Sequence, residues 1–99
     1  MKKDLKTEIQ KLINIYKFGD FNSVLRKCSS LLNDYPKNDF LWNLSGLSFQ
    51  QIGDHKNAIT SFQNALNSNQ NNYSAKNNLA ISYKNIFNYS KAIELLTEL

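Results

Sequence analysis

The side chains best suited to covalent or acid–base chemistry are sparse in this chain. His55 and Cys28 are its one histidine and its one cysteine, so neither a zinc-ligand set nor a Cys/His/Asn nucleophilic arrangement can be assembled. The three glycines, Gly19, Gly46 and Gly53, form no glycine-rich phosphate loop. Both remaining candidates have plainer roles. His55 follows a Gly-Asp pair at a corner between two apolar segments, where a bulky side chain covers a turn. Cys28 falls in an apolar stripe and reads as core. The sequence therefore predicts no catalytic residue, no metal site and no cofactor, and the function to look for is binding.

Charge narrows the partner. Twelve Lys and Arg against eight Asp and Glu give +4 over 99 residues. Residues 1–38 hold eight basic and four acidic side chains, residues 39–72 one and two, and residues 73–99 three and two. This excess is spread out, without the basic stripe and interleaved aromatics of a nucleic-acid interface, so no nucleic-acid partner is expected. No run approaches the ~18 apolar residues of a membrane span. The basic, amphipathic stretch from Leu5 to Phe18 has its apolar positions claimed by the repeat described next, so no membrane partner is expected either. The charged start leads into no apolar h-region and a lone cysteine suits a reducing compartment, so the expected location is cytoplasmic. The Asn-x-Ser sequons at Asn43, Asn72 and Asn88 are discounted on the same ground. A hydrophobic content of 41% fits one globular domain, 1–99.

The elements that position everything else come from an internal repeat. A shift of 34 residues lays Gly19-Asp20 on Gly53-Asp54 and then on Phe87-Asn88. Val24, Ala58 and Ala92 coincide, as do Cys28, Phe62 and Leu96, and Leu31, Ala65 and Leu99. Leu12, Gly46 and Ala80 share a position, as do Ile15, Phe49 and Tyr83. The units are 5–38, 39–72 and 73–99, the last cut short. In each, apolar residues at helical spacing predict two helices around a turn. Gly19 and Gly53 suit a left-handed helix end, and Asp54 can accept from the free amides of the next helix. Pro36 stops the second helix of the first unit. Small side chains at Gly46, Ala58 and Ala65 permit close helix approach. The expected helix cores are 6–18, 22–34, 40–52, 56–68, 74–86 and 90–99.

The stretch Trp42-x2-Ser45-Gly46-x2-Phe49, then Gly53-Asp54, then Ala58-x3-Phe62-x2-Ala65 resembles the tetratricopeptide (TPR) signature. Pro36 supplies the signature proline in the first unit, and Leu79-Ala80-x2-Tyr83 with Ala92-x3-Leu96 continues it in the third. Ser45 departs from the leucine the signature prefers, Phe87 from the turn glycine and Gln70 from the terminal proline. The Gly-Asp turn and the Ala-x3-Phe pattern set the chain apart from RNA-binding pentatricopeptide repeats. The resemblance implies an all-α fold, a right-handed solenoid of three helix-turn-helix units, and a non-enzymatic scaffold that binds protein or peptide.

It also implies a concave groove lined by the first helices. The matching positions are Lys6, Ile9, Gln10, Ile13, Tyr16 and Lys17 in the first unit. The second contributes Phe40, Asn43, Leu44, Leu47, Gln50 and Gln51. In the third they are Ser74, Asn77, Asn78, Ile81, Lys84 and Asn85. Amides among apolar steps can hold the N–H and C=O groups of an extended peptide. Alternatively, the apolar positions are inter-repeat core and the amides reflect an asparagine-rich composition. The carboxylate clamp of repeats that bind chaperone C-termini is missing, because Asn78 alone fits it. Asn77-Asn78-Leu79-Ala80 is similar to repeats that precede sugar transferases, and such repeats also precede bacterial sulfotransferase and glycosyltransferase domains. Three functions stay open: a peptide- or helix-binding scaffold, a substrate-orienting segment of a larger transferase, and a self-associating repeat element. The last follows from Ile93, Leu96 and Leu99, which no further helix covers, so the sixth helix is expected to self-associate.

Overall fold

The structure, a computed structural model, describes residues 4–97 as six α-helices with no strand among them. They are α1 (Leu5–Phe18), α2 (Phe21–Asp34), α3 (Asp39–Gln51), α4 (His55–Ser68), α5 (Tyr73–Asn85) and α6 (Tyr89–Thr97). Each starts at the residue after an Asp or Asn, and those residues recur every 34 positions: Asp4, Asn38 and Asn72, then Asp20, Asp54 and Asn88. Five of the six carboxylate or amide oxygens accept the backbone N–H three residues on, at 2.9–3.3 Å. At Asp4 the Thr7 hydroxyl is the donor, at 2.6 Å. These caps start every helix one residue before its expected core. Leu99 lies outside the described residues.

Three turns share one geometry. Gly19, Gly53 and Phe87 have φ of 85°, 81° and 67°. The next N–H reaches back to the carbonyls of Ile15, Phe49 and Tyr83, at 3.3, 2.9 and 2.8 Å. This is the hydrogen bond that closes a left-handed helix end, and it forms at Phe87 without a glycine. The junctions between units also match. Asn38 N–H donates to Tyr35 O at 3.1 Å, and Asn72 N–H to Asn69 O at 3.0 Å. The first is held by Pro36, whose carbonyl accepts the Trp42 indole N–H at 2.8 Å. The second lacks proline and is tied instead by the Asn69 and Asn72 amides, which donate to Asp39 Oδ2 at 3.2 and 2.8 Å.

Packing follows the side chain at the crossing of each hairpin. Gly46 lies against the Phe62 ring, and a Cβ there would stand 2.7 Å from Phe62 Cζ. Contact is most extensive between α3 and α4, less so between α5 and α6, and least between α1 and α2. That is the order of increasing size at the shared position, Gly46, Ala80 and Leu12. One core cluster joins Leu12, Val24, Cys28, Leu31, Leu32, Leu41 and Leu44 of α1 to α3. A second joins Ala58 and Phe62 of α4 to Leu79 of α5. Each helix packs on its chain neighbours, and α3 also lies beside α5. The result is an elongated stack of 45 × 25 × 18 Å. No helix among the described residues is long and apolar enough to cross a membrane.

Candidate functional site

The first helices α3 and α5 are fastened by side-chain amides. Asn43 Nδ2 donates to Ser74 Oγ at 3.2 Å, and Asn78 Nδ2 donates to Asn43 Oδ1 at 3.1 Å. Two turns further along α3, Gln50 Nε2 donates to the Asn78 carbonyl at 3.0 Å and to Ser82 Oγ at 2.8 Å. The bonds run between corresponding faces because residues 34 apart stand side by side in a stack of repeats. Asn43 is thereby buried with both ends of its amide engaged. Asn78 Oδ1 and Gln50 Oε1 have no hydrogen bond among the described residues.

Placement of the other groove positions divides them in two. Leu44 is buried in the α1–α3 core, with Ile9 and Tyr16 packed against it, and Leu47 packs against the second core. Ile13 is half-buried. Exposed on the same helices are Lys6, Gln10 and Lys17 of α1, Phe40 and Gln51 of α3, and Asn77, Ile81, Lys84 and Asn85 of α5. Phe40 and Ile81 are 40% and 41% exposed, which gives this face two apolar footholds beside its amides. Its formal charges are the lysines Lys6, Lys17 and Lys84. Of the signature residues, Ala58, Phe62, Ala65, Ala80 and Ala92 are buried, while Gly19, Pro36 and Gly53 occupy exposed turns. Tyr83 is half-buried under the Lys91 ammonium, 5.7 Å from its ring centroid.

The candidate chemical groups stand on α2 and α4, not on the first helices. Cys28 is buried, and burial pushes its thiol up to about 11, only partly opposed by a hydrogen bond with Ser45. His55 opens α4 with Nδ1 lacking a hydrogen bond, and no set of metal-ligating side chains surrounds it among the described residues. The Asp20 carboxyl is held below its ordinary value by the Ser23 hydroxyl and then by the Ser23 N–H, which is a capping role.

Three comparisons with known proteins bear on this arrangement. A tetratricopeptide-repeat family model matches residues 41–72. A curated relative is the N-terminal acetyltransferase A complex subunit-like protein of Schizosaccharomyces pombe, 32% identical over 62 residues, which are 63% of this chain and 9% of that protein. The chain thus spans a small part of that relative's length. Among solved structures, MamA MSR-1 C2 superposes with a TM-score of 0.77 at 19% identity, covering 96% of this chain and 59% of that one. That likeness concerns the fold, and it extends across nearly all of this chain. Residues 41–72 thus match a tetratricopeptide repeat and lie within a helical-repeat solenoid.

Proposed function

We propose that the chain is a protein-interaction scaffold in which units 5–38, 39–72 and 73–99 all act as tetratricopeptide repeats and the first-helix face holds an extended peptide or a partner helix. Tetratricopeptide repeats generally mediate protein–protein interaction. The observation that carries the peptide reading is the amide ladder between α3 and α5. It holds two helices in fixed register and leaves Asn78 Oδ1 and Gln50 Oε1 free to accept peptide N–H groups. Asn77, Gln51 and Asn85 stand exposed on the same helices, Phe40 and Ile81 supply apolar contact, and Lys6, Lys17 and Lys84 favour a ligand with acidic residues.

Selection from a random-peptide display library, followed by affinity measurement on the chosen peptide, tests this. Ile81→Asp and Asn77→Ala should each weaken binding by about tenfold, equivalent to about 1.4 kcal/mol. Lys56→Ala, on the second helix of the middle unit, should leave it unchanged. Affinity that ignores Ile81 and Asn77 but falls with Lys56 contradicts the reading. A second reading, a substrate-orienting segment within a transferase assembly, is favoured by the similarity to the acetyltransferase complex subunit-like protein. It predicts co-purification of a catalytic subunit with the parent protein.

A further inference from the structure

The opposite side of the stack carries a feature that peptide binding on the first helices does not use. Between α2 and α4, with α3 as its floor, lies an open cleft of about 370 Å³. Leu25 and Leu32 of α2 and Trp42 and Phe49 of α3 supply its apolar walls. Ser45 at the floor and Ser29, Asn33 and Ser61 around it supply hydroxyl and amide groups. Not one lining side chain is ionisable.

The repeat provides an internal comparison. One unit further on, the equivalent cleft is lined by Leu79 in place of Ser45, Leu95 in place of Ser61, Tyr83 in place of Phe49 and Gln63 in place of Ser29. There the volume is about 160 Å³, and Gln63 Nε2 donates to the Tyr83 hydroxyl at 3.2 Å across it. The cleft is thus smaller where leucines stand at these two positions, with Lys91 and Glu94 also on its lining, and roomier where serines do. Both serines are 5% exposed, so each holds a position where apolar volume would have been stabilising.

We propose that this cleft is a binding site for a small, neutral aromatic ring carrying one hydrogen-bonding group, a phenol in the simplest case. Its size and mixture of apolar walls with a few polar groups suit a small ligand, and apolar cavities of about 150 Å³ already admit benzene. The absence of ionisable lining groups selects against charged compounds, whose desolvation nothing there would offset. Trp42 and Phe49 are seven residues apart on α3, about 10.5 Å at 1.5 Å per residue. Trp42, Ser45 and Phe49 follow one another at i, i+3 and i+7, so the two aromatic side chains and the serine share one face of α3 and flank the same cleft. The Trp42 ring is already fixed by its bond to Pro36 O, so the wall is formed before a ligand arrives.

Titration of the full chain with p-cresol and with N-acetyl-tyrosinamide, followed by two-dimensional NMR, tests the site. Trp42 is the one tryptophan, so its indole N–H gives a single reporter resonance. Saturable shifts at Trp42, Ser45 and Phe49 are expected with p-cresol. If p-cresol alone binds, the ligand is a free small molecule. Binding of both compounds means that a tyrosine side chain of a partner also fits. Ser45→Leu with Ser61→Leu, which copies the smaller cleft, should lower the affinity at least tenfold while the protein still melts cooperatively. Should that variant fail to fold, Ser29→Gln at the exposed rim, copying Gln63, should weaken binding in its place. No saturable shift with either compound at millimolar concentration overturns the proposal, as do shifts that persist undiminished in the folded double variant or, in its place, in Ser29→Gln.

Discussion

Phe87 shows how strongly the repeat imposes its geometry on a single residue. An L side chain at positive φ costs roughly 1–2 kcal/mol through the clash of Cβ with the following carbonyl. Here Phe87 accepts it at φ 67°, 78% exposed and with the edge of one ring on Tyr89 as its aromatic contact, centroids 6.4 Å apart. The turn forms because the Asn88 N–H bond and the Asn88 cap on either side fix the backbone. Phe87→Gly should therefore raise stability by about 0.5–1 kcal/mol in urea denaturation, the strain relief exceeding the lost ring contact and the entropy of the freed chain. Cys28 gives a second test at this scale. Its thiol is raised by burial from an ordinary 9.0 to about 11, so the folded protein keeps it neutral. Below pH 9 that preference costs nothing. As pH climbs through 9 toward 11 the unfolded thiol ionises first and stability declines. At neutral pH a disulfide-exchange reagent should label Cys28 only as fast as the protein opens, and labelling should accelerate in denaturant.

Helices and turns were legible in the sequence because their signals are local and recur. Asp20, Asp54 and Asn88 mark helix starts, Gly19 and Gly53 mark ends, and the 34-residue register carries the same geometry to Phe87. The amide ladder was not legible, because it joins residues 28 to 35 positions apart. Asn43 and Asn78 were expected as ligands for a peptide backbone; the structure engages both ends of the Asn43 amide and Asn78 Nδ2 within the ladder, and of these atoms leaves Asn78 Oδ1 without a hydrogen bond among the described residues. Leu44 was expected on the groove surface and is buried, since α1 and α2 close over that face of α3. Ser45 was visible as a departure from the signature, but nothing in the sequence places it beside Ser61. A double-mutant cycle measures the ladder. Asn78→Ala should cost about 1–2 kcal/mol by leaving the buried Asn43 carbonyl without its donor, and Asn43→Ala a similar amount. The double variant should cost about 0.5–1 kcal/mol less than the sum of the two singles. Strict additivity indicates that the two amides are independent.

Across the whole molecule the two ends of the stack differ. The outer face of α1 presents Thr7, Lys11 and Asn14 to solvent, with Lys11 paired to Glu8 at 3.1 Å. In α3 and α5 the equivalent positions, Leu41, Ser45 and Ser48, then Ala75, Leu79 and Ser82, are buried against the preceding unit. On α6, Ile93 and Leu96 are 60% and 49% exposed, although Phe62 and Cys28, in register with Leu96, are fully buried. A polar first face disfavours head-to-tail stacking, so association of this 99-residue chain through α6 should be face to face. Sedimentation at rising concentration should show dimers that Leu96→Lys abolishes. A strict monomer would contradict that expectation.

Backbone shift mapping with a display-selected peptide is the sharpest test of whether the first helices form a peptide-binding face. Shifts should concentrate on α3 and α5, foremost at Phe40, Gln50, Gln51, Asn77, Asn78 and Ile81, with α2 and α4 little changed. Shifts confined to α2, α4 and α6, with those six residues unmoved, would contradict it.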